Sequence, residues 1–234
     1  MFLLLPGLVF AEPPPATGGP EQPPDLSGTW KMTLSVTTSA HVPVLGDTVV
    51  VSERVNLVRI VEQDGEILQH HKPCTVEAHS EQLIAETNIP DAFVRSLPSK
   101  TYPVELLWNG QQWTYSVDLQ PEQMGFEGAE LPKTSTDSQV VDSDRDGQPG
   151  VTVNIKVPIF GSVDAYLVQK AHTQLTGGID EDTIEGAADV MVLEQNVIGS
   201  TNVLFARQPT IVPVEGMNTF TLERVPDGSS CLDL

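Results

Sequence analysis

The length, composition and charge of this chain already exclude several classes of function. It has 234 residues, 39% of them hydrophobic and 19% charged, which provides enough apolar material for a folded core in one or two domains. Its formal net charge of −20 comes from 32 acidic and 12 basic residues. A nucleic-acid backbone or an anionic lipid surface would repel such a chain, so we expect neither as a partner.

The N-terminal segment predicts export. Residues 1–11 are apolar but too short to span a bilayer, and Val9 and Ala11 fit positions −3 and −1 of a signal-peptidase site. The basic residues that usually open a signal peptide are missing, so either the translation start lies upstream or the signal is atypical. Residues 12–25 predict a proline-rich, disordered tether. No other stretch is long and apolar enough to cross a membrane, so we expect a secreted or periplasmic protein.

Alternation with a period of two dominates the rest of the chain and predicts β-strands. Trp30, Met32 and Leu34 share one face of a first strand. A second strand, Asp47–Glu62, carries five aliphatic residues on one face: Val49, Val51, Val55, Leu57 and Val61. Polar residues interrupt that face, so either a bulge resets the register or polar groups line an interior.

The next segments predict a hairpin, a broken strand and a short helix. Asp64-Gly65 is a hairpin signal, and a strand over Glu66–His79 is expected to break near Pro73. The same alternation places His71 and His79 on one face. Asn88–Leu97, with an early proline and an apolar face, predicts the short helix.

The second half of the chain predicts further antiparallel strands. Val104–Trp108 and Trp113–Leu119 flank Asn109-Gly110 and form the clearest hairpin. After the polar segment Gln120–Gln139, strands are expected over Val151–Ile159, Val163–Leu175, Thr183–Val197 and Asn218–Val225, with Gly177-Gly178 forming a turn. Short turns and missing crossover helices predict an all-β protein, an antiparallel up-and-down barrel of about 8–10 strands with one short helix. A curved β-sandwich is the alternative. We expect residues 26–234 to form a single domain with an insertion at about 120–150.

The most specific local signal is an aspartate-rich loop, Asp142-Ser143-Asp144-Arg145-Asp146-Gly147-Gln148-Pro149-Gly150. Carboxylates at alternate positions converge when the backbone curls, and calcium prefers six to eight oxygen ligands. The predicted ligands are the side chains of Asp142, Asp144 and Asp146, the carbonyl of Gln148, and Gly150 through water or its own carbonyl.

The loop lacks the closing glutamate of a helical EF-hand and has no flanking helices, so a further acid must come from elsewhere. The candidates are Asp137, Asp180, Glu181 and Asp182. A bound ion is expected to stabilise the loop rather than to take part in catalysis. An acidic surface turn that binds no ion is the alternative.

Two cysteines, Cys74 and Cys231, predict one disulfide in an exported protein, and two buried free thiols are the alternative. Three histidines, His70, His71 and His79, are close enough in sequence for a transition-metal site, but scattered surface or edge histidines are the favoured interpretation.

Both ends of the β domain resemble a known group. Leu26-Ser27-Gly28-Thr29-Trp30 resembles the Gly-x-Trp opening of lipocalins and the wider calycin group, and Thr219–Arg224 resembles their closing strand with its arginine. The resemblance implies a barrel in which Arg224 packs across Trp30 and closes the base. Cys74 with Cys231 also resembles the common lipocalin bond from a mid-barrel strand to the C-terminal tail.

The chain departs from that group in its greater length, in lacking a clear C-terminal helix, and in its aspartate loop. The loop with the following Pro-Gly-Val-Thr-Val is similar to a pattern in exported bacterial proteins of an uncharacterised family.

No serine-hydrolase elbow, His-Glu-x-x-His zinc motif or phosphate-binding glycine loop is present, so the sequence predicts no enzyme. The predicted function is an exported calcium-binding barrel that carries or senses a small apolar ligand in its interior. The alternative is a structural or interaction module of the cell envelope or extracellular space, with a filled barrel and a protein partner. An enzyme of unknown class is a remote third.

Overall fold

A computed structural model describes residues 22–42, 46–80, 86–89, 94, 97–157 and 161–234. These residues form twelve strands and one short 3₁₀ helix, Val203–Phe205. The strands are β1 Gly28–Val42, β2 Gly46–Gln63, β3 Glu66–Ser80, β4 Glu86–Asn88, β5 Lys100–Trp108, β6 Trp113–Asp118, β7 Glu122–Met124, β8 Val151–Val157, β9 Gly161–Asp180, β10 Thr183–Ser200, β11 Thr210–Pro213 and β12 Thr219–Val225. No helix in these ranges is long and apolar enough to cross a membrane.

Eight of the strands close into a ring, and all neighbouring strands in it are antiparallel. The ring runs β1–β2–β3–β5–β6–β9–β10–β12 and returns to β1, so its strands follow one another in chain order. This confirms the predicted all-β antiparallel fold. The ring is not evenly arranged around an axis, so a barrel and a curved sandwich both describe it.

The longest strands extend beyond the eight-stranded ring and pair there with the four strands outside it, β4, β7, β8 and β11. The first part of β3 pairs with β5, and its last residues pair with β4. Along β9 the partner changes from β8 to β7 and then to β6. The far part of β1 pairs with β11. The molecule therefore has two tiers, the ring and an upper extension.

Large apolar side chains fill the ring. Trp30, Met32, Leu222 and Tyr115 are fully buried, and Phe220 is 1% exposed. These residues belong to one core cluster, with Val58, Ile60, Leu175 and Ile184 also fully buried in it. On β2 the even-numbered residues point inward, so the valine-rich face from Val49 to Val61 is only partly buried. Polar residues of β2 do line the interior, which was one of the two alternatives for its interrupted pattern.

A β-bulge separates two histidines that the alternation placed together. The register between β2 and β3 shifts at Val55/Asn56, which pair with Thr75 and Pro73. β3 is therefore continuous through Pro73, and its side chains change face at Cys74. As a result His71 is 2% exposed inside the ring whereas His79 is exposed. The prediction that His71 and His79 share a face is wrong.

The pair Gly177-Gly178 does not form a turn. β9 continues to Asp180, and the turn lies at Glu181 and Asp182. Gly177 pairs with Gly186 of β10, and a Cβ at Gly177 would overlap the Glu185 carbonyl and approach the Phe220 ring to 2.9 Å. Glycine at 177 thus serves the close approach of two backbones and an aromatic ring.

The predicted and observed secondary structure differ mainly in short segments. The helix predicted over Asn88–Leu97 falls largely on residues outside the described ranges. β4, β7 and β11 were not predicted, because strands of three or four residues carry too little alternation to be recognised. The predicted strand at 151–159 is described to Val157.

Candidate metal site and polar clusters

The aspartate loop lies directly before β8 and is held against β9 by a small apolar cluster. Phe126, Val168 and Ile198 form this cluster, and Leu131 and Val140 pack on it. Gly125 and Gly150, both with positive φ, lie beneath the Leu167 carbonyl, where a Cβ on either residue would clash. The loop is therefore anchored to the long strand at its base.

Three carboxylates converge in the loop. One oxygen each from Asp142, Asp144 and Asp146 lies within 4.8 Å of the others. The turn is shaped by Arg145 and Gly147, which have φ of 59° and 86°. The Asp142 carboxylate accepts hydrogen bonds from the N–H groups of Asp146 at 3.2 Å and Gly147 at 2.9 Å. The alternate spacing of the aspartates thus produces the cluster that the sequence predicted.

Thr152, which sequence reasoning did not select, completes the cluster. Its N–H donates to Asp144 Oδ2 at 2.7 Å, and its hydroxyl donates to Asp146 Oδ2 at 2.5 Å. Thr152 is the second residue of β8, so the beginning of this strand holds two of the three carboxylates in place. The position carries no sequence signal, because it lies beyond the aspartate repeat.

One carboxylate oxygen of Asp144, Oδ1, is buried and has no hydrogen-bond partner among the described residues. Burial raises the pKa of Asp144, and the neighbouring charge of Asp146 raises it further. Desolvation of the Asp142 carboxylate acts to raise its pKa. Hydrogen bonds from the N–H groups of Gly147 and Arg145 have the larger combined effect, so the pKa of Asp142 is lowered. Repulsion among close carboxylates and an orphaned buried oxygen are both relieved by a bound cation.

The cluster fits a hard cation. Three carboxylates can supply up to six oxygens, and oxygens on opposite sides of a calcium ion are about 5 Å apart, twice the metal–oxygen distance. An Asp142–Asp144–Asp146 cluster can therefore hold a metal ion. Gln148 donates its N–H to Asp146 Oδ1 at 2.8 Å, and Gly150 is tied to Val141 and Ser143 through its backbone.

The additional acids proposed from the sequence are not in this cluster. Asp180, Glu181 and Asp182 lie at the far end of β9, thirteen or more residues beyond Leu167, a distance of roughly 40 Å along an extended strand. Asp137 accepts a hydrogen bond from the Gln139 N–H within its own turn. Among the described residues, the group that could hold a metal ion contains only the three loop aspartates.

The base of the ring carries the tryptophan–arginine contact that the resemblance implies. The Arg224 guanidinium carbon lies 4.3 Å from the centroid of the Trp30 ring. Arg224 also donates to the Ser27 carbonyl at 2.7 Å and pairs with Asp182 at 3.1 Å. Trp30 donates its indole N–H to the Leu26 carbonyl at 3.0 Å. These contacts hold the entering segment and the last strand together.

The predicted disulfide between Cys74 and Cys231 is confirmed. It joins β3 to the C-terminal tail across 157 residues of sequence, and it excludes the alternative of two free thiols. The tail is thereby fixed against the outer wall of the ring.

An ionic cluster that the sequence did not reveal lies between the ring and its upper extension. Glu122 of β7 accepts from Arg54 at 2.7 Å, from Lys100 at 2.9 Å and from the Tyr102 hydroxyl at 3.2 Å. Burial works against its charge, but Arg54 and Lys100 lower the pKa of Glu122 to about 2. Tyr102 in turn contacts His71 edge-on, with ring centroids 5.1 Å apart.

Buried amides and His71 continue this polar layer into the ring. Asn56 is 1% exposed and accepts from Arg54 Nε at 3.1 Å, while Gln69 is fully buried and accepts from the Tyr115 hydroxyl at 2.5 Å. Asn56 Nδ2, Gln69 Nε2 and His71 Nε2 have no hydrogen-bond partner in the part of the chain that the structure describes. Burial, aided by the Arg54 charge, lowers the pKa of His71 to about 3, so the His71 imidazole is neutral at physiological pH.

Comparison of the chain with protein-family models, with curated proteins and with solved structures found no match. The lipocalin resemblance therefore rests on the residues at the two ends of the domain.

Proposed function

We propose that this protein is an exported, calcium-binding β module that binds its partner through its outer surface. The observation that carries the calcium assignment is the convergence of Asp142, Asp144 and Asp146 around the partnerless Asp144 Oδ1. Oxygen-only ligands in a strongly acidic chain favour a hard cation, and the flexible geometry of a loop favours calcium over magnesium.

The proposed role of calcium is to fix the segment between β7 and β8. The loop connects to the ring through Phe126 and Val140, a small cluster that buries limited apolar area. An ion on the three carboxylates would tie both ends of this loop to Thr152 and β8. Gln148 remains a predicted ligand through its carbonyl. Gly150 remains one through water or its own carbonyl, which also accepts from the Ser143 N–H at 3.0 Å.

Export is supported by the disulfide, because such bonds persist mainly in oxidising compartments. The surface-binding role is supported by the filled ring, where Trp30, Tyr115 and Phe220 occupy the centre. Carriage of a small apolar ligand remains a prediction. Within the described interior, the buried nitrogens without a hydrogen-bond partner, Asn56 Nδ2, Gln69 Nε2 and His71 Nε2, are the atoms that would bind a polar group of such a ligand.

A thermal-unfolding experiment with calcium tests the proposal. At a calcium concentration 100 times its Kd, binding adds about 2.7 kcal/mol, which for a domain of this size raises Tm by roughly 5–10 °C. Asp144→Ala and Asp146→Ala should abolish that shift. Glu130→Gln removes one exposed charge from the same segment and should retain it. An unchanged Tm of the unmutated protein with and without calcium would rule the site out.

A further inference from the structure

A groove of about 650 Å³ runs along the outer wall of the ring, between β2–β3 and the C-terminal tail. Arg59, His70 and Lys72 line its strand side, and Asp227, Gly228 and Ser229 line its tail side. The Cys74–Cys231 bond and a hydrogen bond from the Thr29 hydroxyl to Asp227 at 2.9 Å hold the tail in place. The groove is thus built from fixed elements rather than from a free terminus.

The cations in this groove have no acidic partner. Arg59 and Lys72 are exposed, and among the described residues neither side chain makes an ion pair or a hydrogen bond. In contrast, Lys31, Arg54, Lys100 and Arg224 are each paired with a carboxylate. Other described cations, including Lys133 and Arg207, are also without an ion pair, so Arg59 and Lys72 are distinguished by lying together in one groove.

The register brings these groups together on one sheet surface. Arg59 pairs directly with His70 across β2 and β3, and Lys72 lies two residues from His70 on the same face. Residues directly opposite have Cβ atoms about 5 Å apart, and basic groups in such positions do not stabilise each other. His70 is oriented by a 2.7 Å hydrogen bond between Nδ1 and the Thr101 hydroxyl. Among the described residues, neither Arg59 nor Lys72 has a carboxylate partner in the fold, so both charges are available to an external anion.

From this groove we infer a binding site for a small molecule that carries a phosphate or sulfate group. A tetrahedral oxyanion would accept from the Arg59 guanidinium and the Lys72 ammonium. The inference rests on the proposed surface-binding function and gives it a ligand class, but it does not involve the calcium loop. The single carboxylate on the tail side, Asp227, is already engaged by Thr29.

Isothermal titration calorimetry with three matched probes tests the site: glucose 6-phosphate, glucose 6-sulfate and glucose. We expect the charged probes to bind and glucose not to bind, with affinity falling as salt is raised. Tight binding of only one charged probe would identify which oxyanion the site takes. Arg59→Gln with Lys72→Gln should weaken binding at least tenfold.

Lys133→Gln with Arg207→Gln is the control, because it removes two exposed positive charges outside the groove lining and changes the net charge equally. Equal binding by the two double variants, or no binding of either charged probe to the folded protein, would overturn the inference. Either result would leave a calcium-dependent rise in Tm intact, so failure of the groove and failure of the metal site are distinguishable.

Discussion

Individual residues in this protein carry charge in places where an all-β core would normally be apolar. Glu122 is ionised because Arg54 and Lys100 compensate the burial of its carboxylate. For His71, burial outweighs the opposing effect of the Glu122 charge, so the imidazole stays neutral. A buried group that is neutral when folded, and charged when unfolded, makes stability depend on pH.

His71 is expected to destabilise the protein in mild acid. Its pKa is about 3 in the fold and 6.5 in its ordinary state, so between these values the unfolded chain binds the extra proton. Stability therefore falls as the pH drops below 6.5, by about 2 kcal/mol between pH 7 and pH 5. Urea unfolding of His71→Gln should show a correspondingly smaller loss over this interval.

Above pH 4.5, the pH dependence of stability reports on His71 and not on Glu122. The pKa of Glu122 is lowered from 4.5 to about 2, so its contribution is complete above pH 4.5 and is lost only as the pH falls toward 2. Glu122→Gln should therefore change the acid limb below pH 4.5 and leave the slope between pH 7 and pH 5. An identical slope in His71→Gln and the unmutated protein would contradict the assignment.

At the scale of elements, strand pairing sets where glycine is required. Gly177 and Gly186 face each other on β9 and β10, with the Phe220 ring over Gly177. The neighbouring Gly178 has open space where a Cβ would lie. The two adjacent glycines thus differ in the room available to a methyl group, although the sequence presents them as equivalent.

We expect Gly177→Ala to destabilise the protein by about 1–3 kcal/mol, because the added methyl must displace the Glu185 carbonyl or the Phe220 ring. Gly178→Ala should change stability by no more than about 0.5 kcal/mol. Denaturant unfolding of both variants makes the comparison. A similar loss in both variants would mean that glycine is needed there for its backbone freedom rather than for space.

Alternation along the sequence reveals long strands but not the register between them. The long strands β1, β2 and β9 have 15, 18 and 20 residues, so their pattern was recognised from the sequence. A break was predicted near Pro73, but not that it is a bulge at Cys74 in a continuous strand, because a register shift of one residue depends on the partner strand. That shift moved His71 into the ring and left His79 outside.

At the scale of the whole molecule, the disulfide ties the last residues of the chain to the ring. Cys74 lies in β3, and Cys231 follows the last strand, β12. The bond encloses most of the folded domain in one covalent loop. It also fixes the wall of the basic groove, so its loss is expected to affect both stability and the groove.

Cys74→Ser with Cys231→Ser is expected to lower the free energy of unfolding by about 2–4 kcal/mol, since the cross-link restricts the unfolded chain over 157 residues. Urea unfolding of the double variant, compared with the disulfide-bonded unmutated protein, measures this effect. The reduced unmutated protein is the control and should behave like the double variant. A loss below about 1 kcal/mol would mean that the unfolded chain is already compact around this bond.

The sequence by itself determined the class of fold, the half-cystine pair and the aspartate cluster. Each depends on local spacing or on counting: alternation for the strands, two cysteines for one bond, and alternate aspartates for carboxylates that converge in a turn. Only the tertiary structure decided that Thr152 supports the cluster, that Glu122, Arg54 and His71 form a buried polar layer, and that Arg59, His70 and Lys72 share a groove. Those groups are brought together by strand register and ring closure, and such long-range pairings leave no periodic signal along the chain.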